Sequence, residues 1–329
     1  MDMMGRGPAR VAVDLMGGDH APEAVIAGIR IAREAGHASV VAVGPADLRA
    51  SIESETDAEF VVADQVVSMD EHPAAAVRSR PESTMAVGCR LVKEGAADAF
   101  FTCGNTGAAL AAGLLYIGRI PGIKRPALAT VVPATERVPV LLDIGANADC
   151  KPENLVQFAM MGREYARAAL GTDQPTVGLL NIGEEPIKGS QLALAAHELM
   201  KDTVPGFFGN VEGRDIPQPP VDVIVTDGFT GNVAVKLIEG TAKALLGAVA
   251  DAFRSTLASR LGAALAMSGL ASLKDRLDPD EYGGAPLLGV DGVLLVGHGS
   301  SGPEAVASGI RMAARVSEQG LPSRIAATL

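Results

Sequence analysis

The sequence predicts an α/β protein in three layers, with a mostly parallel sheet between two layers of helix. Short β-branched runs alternate along the chain with longer helical patterns. Several of these runs are apolar at every position rather than at alternate ones, as expected of strands buried on both faces. The length of 329 residues, with 48% hydrophobic residues, 38 glycines and no tryptophan, suits one large α/β unit or about two domains.

In chain order, strands are expected at Val11–Asp14, Val40–Val43, Phe60–Val62, Ala99–Thr102, Ala127–Val132, Val138–Asp143, Val177–Asn181, Val221–Thr226 and Gly292–Val296. Helical spacing is clearest over Glu153–Leu170 and Ser190–Met200. The opening "MDMMGRGPAR" has no apolar stretch of the secretory kind and reads as a flexible tail over residues 1–10, ahead of a single domain over 11–329. No run reaches the roughly 18–20 apolar residues that span a bilayer. A net charge of −11 argues against nucleic acid as a partner. Cys89, Cys103 and Cys150 show no paired spacing, which points to reduced thiols and a cytoplasmic setting.

Open α/β sheets bind ligands beyond the carboxyl ends of their strands, and there the unusual residues collect. They fall in "DLMGGDH" (14–20), "CGNTG" (103–107), "DIGANADC" (143–150), "NIGEEPIKG" (181–189), "DGFTGN" (227–232) and "GHGSSG" (297–302). Any strand-to-helix turn favours such residues for turning and capping, so it is the clustering that points to a site. The pattern Thr-x-Gly-x-Thr-Gly occurs twice, at Thr102–Gly107 and Thr226–Gly231, each time between a strand and a helix. Thr106 and Thr230 are the expected N-caps. Free N–H groups at the two helix starts suit a phosphate or carboxylate.

"GHGSSG" matches G-x-G-x-x-G, but no strand ending in an acidic residue follows, so a dinucleotide site is not expected. His298 and Ser300 stand instead at a further anion-facing helix start. There is no Walker A pattern and no G-x-S-x-G elbow, and the five histidines lack metal-ligand spacing. No metal and no cofactor is expected. Asp14, Asp19 and His20 read as a hydrogen-bonded turn, and Asp143 and Asp149 as carboxylates bracing loops. Lys188, after Glu184 and Glu185, is either a functional cation or a surface lysine paired with a glutamate.

Taken together, the blocks "AVDLMGGDHAPE", "TCGNTGA", "RPALAT", "LLDIGANADCKPENLVQFAMMG", "GLLNIGEEPIKG", "DVIVTDGFTGNVAVKLIEG", "YGGAPLLGVDGV" and "HGSS" resemble one family over nearly the whole chain. It is the phosphate acyltransferase (PlsX) family of bacterial phospholipid synthesis. The resemblance implies a sandwich related to phosphotransacetylases and to isocitrate and isopropylmalate dehydrogenases, working as a homodimer. It implies transfer of a fatty acyl group from an acyl carrier protein thioester to inorganic phosphate. Two departures stand out: Leu15 where the family commonly has alanine, and Gly302-Pro303 where Asn or Asp usually follows "HGSS". Proline suits a first helical turn, so the helix should survive.

That reaction needs positioning and oxyanion stabilisation rather than a strong base, since phosphate is already anionic and a thiolate is a fair leaving group. On this reading Lys188 stabilises charge and Asn232 orients phosphate or the carbonyl. Asn105, Thr106, Gly107, Asp227, Thr230 and Gly231 line the phosphate and substrate site, with Ser300 and with His298 as donor to the departing thiolate. The alternatives are a phosphotransacetylase-type enzyme using an acyl-coenzyme A thioester, or a non-catalytic regulator that binds acyl carrier or phosphate.

Docking an acidic carrier on an acidic chain calls for a basic patch; Arg119, Lys124 and Arg125 form one candidate, Arg78 and Arg80 another. The uncharged run Leu261–Leu273, flanked by Arg254, Arg260, Lys274 and Arg276, suggests a helical hairpin over 255–280 at a dimer interface or a membrane surface. The resemblance supports peripheral contact with the inner face of the membrane and with a membrane glycerol-3-phosphate acyltransferase.

Overall fold

The computed structural model describes residues 7–134, 137–256 and 282–329, together with 258–260, 262, 263, 266 and 269. The hairpin expected over 255–280 lies largely outside the described residues, as do residues 1–6 of the expected tail. Ala9 is buried and the first strand begins at Arg10.

The elements run β1 (Arg10–Asp14), α1 (Glu23–Glu34), β2 (Ser39–Gly44), α2 (Arg49–Glu55), β3 (Glu59–Val62), α3 (Pro73–Ser79), α4 (Thr84–Lys93), β4 (Ala99–Thr102) and α5 (Thr106–Ala112). Next come β5 (Ala127–Val131), β6 (Val140–Leu142), α6 (Pro152–Tyr165), β7 (Val177–Asn181), α7 (Gln191–Thr203), β8 (Phe207–Glu212) and β9 (Val223–Val225). The chain continues through α8 (Gly228–Arg254), β10 (Ala285–Leu288), β11 (Val293–Val296), α9 (Pro303–Glu318) and α10 (Leu321–Ala326). A wider turn, Ala166–Leu170, continues α6, so the helical spacing read to Leu170 is physically continuous.

The sheet order is β3-β2-β1-β4-β11-β10-β5-β6-β9-β7-β8. It is mostly parallel, as predicted, but divided. From β3 to β11 every pairing is parallel, and so is every pairing from β6 to β8. The three pairings between these blocks are antiparallel, so the two parallel blocks run in opposite senses along the ladder. β10 joins them: Ala285 and Pro286 pair with β11, whereas Leu287 and Leu288 pair with β5.

Side-chain alternation makes the three layers. Val11, Val13 and Phe101 pack into the core cluster shared with Ile29 of α1 and Ile310 of α9, while their neighbours Ala12 and Phe100 pack into the opposite cluster with Val87 of α4 and Ala109 of α5. In the second block Leu142, Val223 and Val225 share a cluster with Phe158 and Met161 of α6, and Leu141 and Ile224 face Ala234 and Ile238 of α8. Each fully buried Phe, Leu or Val stabilises the fold by about 2 kcal/mol.

β8 and β10 were not expected from sequence. The run "FFGNVE" lies at the outer edge of the sheet with a broken apolar pattern, and "APLL" is short and carries a proline. Both sequence departures are accommodated. Leu15 is fully buried against Gly44, where an added Cβ would come within 2.9 Å of it. Gly302 caps α9 with Pro303 in its first turn. Among the described residues no helix is long and apolar enough to cross a membrane.

The Tyr165 hydroxyl is buried and finds no hydrogen-bond partner among the described residues. Removing an unsatisfied buried hydroxyl recovers its desolvation cost. Tyr165→Phe should therefore match or exceed the wild-type melting temperature in calorimetry, with a gain of up to roughly 1 kcal/mol; a lower melting temperature would show that the hydroxyl has a partner.

Candidate active site

The candidate residues gather in two groups, one at the carboxyl ends of each parallel block. The first is built on Asp14 and Thr102, adjacent strand ends of β1 and β4. The buried Asp14 carboxylate accepts from Met16 N–H at 3.0 Å and from the Thr102 hydroxyl at 2.8 Å, and Thr102 Oγ1 accepts Gly104 N–H at 3.0 Å. Burial pushes the Asp14 carboxyl above its ordinary value, against the pull of these donors. Asn105 caps α5, accepting Ala108 N–H at 3.0 Å, while its amide donates to the carbonyls of Ser68 and Met69. Thr106 beside it is exposed, and Gly107 lets α5 close on Pro73. Asp19 N–H donates to Gly299 O at 2.7 Å, which brings the loop after β11 alongside. There His298 Nδ1 accepts from Ser300 N–H and contacts Ser300 Oγ at 2.7 Å, which leaves the ring proton on Nε2.

The second group lies where β6, β9 and β7 end side by side. Asp143 is fully buried, and its carboxylate accepts from Leu128, Gly145, Ala146 and Asn147 N–H and from the Asn147 side chain, at 2.7–3.1 Å. It braces a loop, as the sequence suggested, while Asp149 is exposed. Burial holds the Asp143 carboxyl above its ordinary value and the donated hydrogen bonds oppose this. Asn147 O accepts Gly228 N–H at 2.8 Å, which docks the start of α8 on the braced loop. Gly231 meets this loop so closely that an added Cβ would lie 1.9 Å from Asp143 O. Asp227 caps α8, accepting Thr230 N–H at 2.9 Å and the Thr230 hydroxyl at 2.8 Å. Asn232, exposed just past the first turn, faces Gly145.

Two expectations about the repeated pattern need correction. The caps are Asn105 and Asp227, not Thr106 and Thr230. The two junctions therefore differ: the cap is the fourth residue of the pattern in one and the second in the other. Asp has a carboxylate able to take both N–H and O–H of Thr230, so the helix begins earlier there.

Lys188 sits on the loop after β7, at the same sheet edge as Asn232. It is exposed, and among the described residues no carboxylate lies within ion-pair distance of it. Glu184 is drawn instead to Arg214, at 3.8 Å. The lysine–glutamate pairing considered from sequence is not what the structure forms. Of the basic patches, Arg80 is paired with Glu71 at 2.6 Å, which holds the Glu71 carboxyl down to about 2. Arg119, Lys124 and Arg125 have no carboxylate at ion-pair distance among the described residues, and Arg125 stands in the electrostatic field of Cys150, beside the Asp143 loop. Asn147 and Asn181, which shape this edge, fall in the blocks "DIGANADC" and "NIGEEPIKG" without being singled out there, and Asn210, inside β8, carried no sequence signal.

The comparisons agree with one another. A family model described as "Fatty acid synthesis protein" matches residues 9–324. A phosphate acyltransferase of Heliobacterium modesticaldum is 45% identical over 326 residues, covering 97% of this chain and 96% of its own. One from Nostoc sp. is 44% identical over 317 residues, covering 94% and 93%. Among solved structures, the EutD phosphotransacetylase from Staphylococcus aureus superposes with a TM-score of 0.62 at 14% identity, over 94% of this chain and 95% of its own. A 4-hydroxythreonine-4-phosphate dehydrogenase from Klebsiella pneumoniae gives 0.57 at 13% identity, over 95% and 99%. These two likenesses establish the fold.

Cys150 is the thiol nearest the second group, and burial pushes it up to about 11, the nearby Asp143 and Asp227 adding to the effect. At pH 7.5 that leaves roughly one thiolate per three thousand thiols. Iodoacetamide should label Cys150 slowly at pH 7.5 and progressively faster up to pH 11, followed by mass spectrometry. Rapid labelling at pH 7.5 would contradict the environment described.

Proposed function

The chain belongs to the phosphate acyltransferase family and is an acyltransferase; from that premise we propose that its acyl donor is a fatty acyl thioester of acyl carrier protein and its acceptor inorganic phosphate. The observation that carries the site assignment is Lys188, an exposed cation with no carboxylate at ion-pair distance among the described residues, on the sheet edge it shares with Asn232. In the proposed reaction a phosphate oxygen attacks the thioester carbonyl, the C–S bond breaks, and acyl phosphate and thiol result. The proton of hydrogen phosphate balances the thiol.

Lys188 offsets the charge that gathers on phosphate and on the carbonyl oxygen, and Asn232 orients one of them through its amide. Asp227, Thr230 and Gly231 shape the helix start that faces phosphate. Asn105, Thr106, Gly107 and Ser300 line the substrate path from the other parallel block. His298 offers its Nε2–H as a hydrogen bond to the departing thiolate, which takes its proton from hydrogen phosphate. Arg119, Lys124 and Arg125 suit the acidic carrier better than Arg78 and Arg80, because Glu71 already neutralises Arg80.

α8 supports a homodimer. It is 27 residues long, and Phe229, Val233, Leu237, Leu245 and Val249 form an exposed apolar stripe at four-residue and eight-residue intervals. We place the enzyme in the cytoplasm, in peripheral contact with the membrane and a membrane glycerol-3-phosphate acyltransferase that would consume the acyl phosphate.

The test is acyl phosphate formation from phosphate and a long-chain acyl carrier protein thioester, with the coenzyme A thioester run in parallel. Phosphate-dependent product from the carrier thioester is expected, with kcat lowered at least about 100-fold in Lys188→Ala and 10-fold in Asn232→Ala. Product from the coenzyme A thioester alone would identify a phosphotransacetylase. Binding of carrier or phosphate with no product from either thioester would indicate a regulator.

A further inference from the structure

The loop that carries Lys188 has almost no apolar anchorage. Its two large hydrophobic side chains, Ile182 and Ile187, are 80% and 83% exposed. Hydrogen bonds hold it instead, and two asparagines outside the loop make them. At its base Asn181 grips both flanks: its carbonyl accepts Ile182 N–H at 2.9 Å and its amide donates to Lys188 O at 3.0 Å. The close approach requires glycine at 189, where φ is +105° and an added Cβ would lie 2.2 Å from Asn181 Oδ1. From β8, the buried Asn210 donates to Glu185 O at 2.9 Å, the same carbonyl that accepts Lys188 N–H at 3.1 Å. Because the Asn210 amide points at Glu185, its oxygen faces the buried His197, whose Nδ1 lies 3.0 Å away and must donate. Phe207 packs edge-on against the His197 ring at 5.2 Å.

We propose that Asn181 and Asn210 are positioning residues that together fix the backbone of Lys188, with His197 setting the orientation of Asn210. This rests on the role given to Lys188 above. A lysine on a long flexible stem contributes most when its backbone is already placed, because the ordering is then not charged to the reaction. A buried asparagine satisfied on both sides of its amide holds one rotamer, which suits it to fix the turn at Glu185.

The test uses Asn181→Asp and Asn210→Asp, which keep shape and acceptor but remove the N–H donated to the loop. His197→Asn, whose Nδ2 takes the place of the imidazole Nδ1 and can still donate to Asn210, is the control. Each aspartate variant should lower kcat about 10-fold with KM for either substrate changed less than about 2-fold, while His197→Asn stays near wild type. In a Lys188→Ala background the same changes should cost less than about 2-fold more, since they act through Lys188. Amide hydrogen exchange over residues 183–189 should accelerate about 10-fold in both aspartate variants.

Wild-type kcat in both aspartate variants beside an impaired Lys188→Ala would overturn the proposal, as would a full additive loss in the Lys188→Ala background. If Lys188→Ala proves fully active, the role of Lys188 falls. The exchange data then judge the clamp separately, and unchanged exchange refutes it. Should Asn210→Asp fail to fold, the partly exposed Asn181→Asp decides.

Discussion

The Asp143 carboxylate organises one whole edge of this molecule. A buried charge is costly unless hydrogen bonds satisfy it, and here five donors converge on two oxygens. One is the amide of Leu128 in β5, three are the successive amides of Gly145, Ala146 and Asn147, and one is the Asn147 side chain, which also reaches Pro126 O at 2.7 Å. The carboxylate thereby ties the end of β6 to the start of β5 and curls residues 145–147 into a platform. α8 starts on that platform through Gly228 N–H and the close approach of Gly231. Asn232 is placed only because Gly231 permits that contact. Asp14 does a smaller version of the same work at the other block, tying β1 to β4 through Thr102.

The chemistry proposed for such edges asks for position more than reactivity. Phosphate brings its own nucleophilic oxygen and a thioester its own leaving group, so a fixed cation and oriented dipoles supply the main contribution. The thiol nearest the second group is held protonated by burial. The hydroxyl of Thr230 is given to Asp227 rather than left free. Neither is prepared to attack a carbonyl, whereas Lys188 has no carboxylate at ion-pair distance among the described residues.

The sheet was legible from sequence because strands buried on both faces leave uninterrupted apolar runs, and those of β1, β4, β7 and β11 were clear. β8 was hidden by its place at the sheet edge, where Phe208 is exposed and Asn210 is buried for its hydrogen bonds rather than its apolarity. The opposite senses of the two parallel blocks were also hidden, since they depend on β10, four residues including a proline. At the candidate site, identity was readable and geometry was not. Asp143 read as a brace and proved one, but the caps fell on Asn105 and Asp227 because a side chain's reach, not the repeated pattern, decides which residue closes a helix. Lys188 looked pairable with its neighbouring glutamates; Glu184 turns to Arg214, a partner distant in sequence.

The most direct test of a site built for position is the initial-velocity pattern with phosphate and acyl thioester varied together. Direct attack by phosphate requires both substrates on the enzyme at once, so double-reciprocal lines should intersect. Parallel lines, with an acylated enzyme trapped by rapid quenching in the absence of phosphate, would show that a side chain carries the acyl group and would contradict the account.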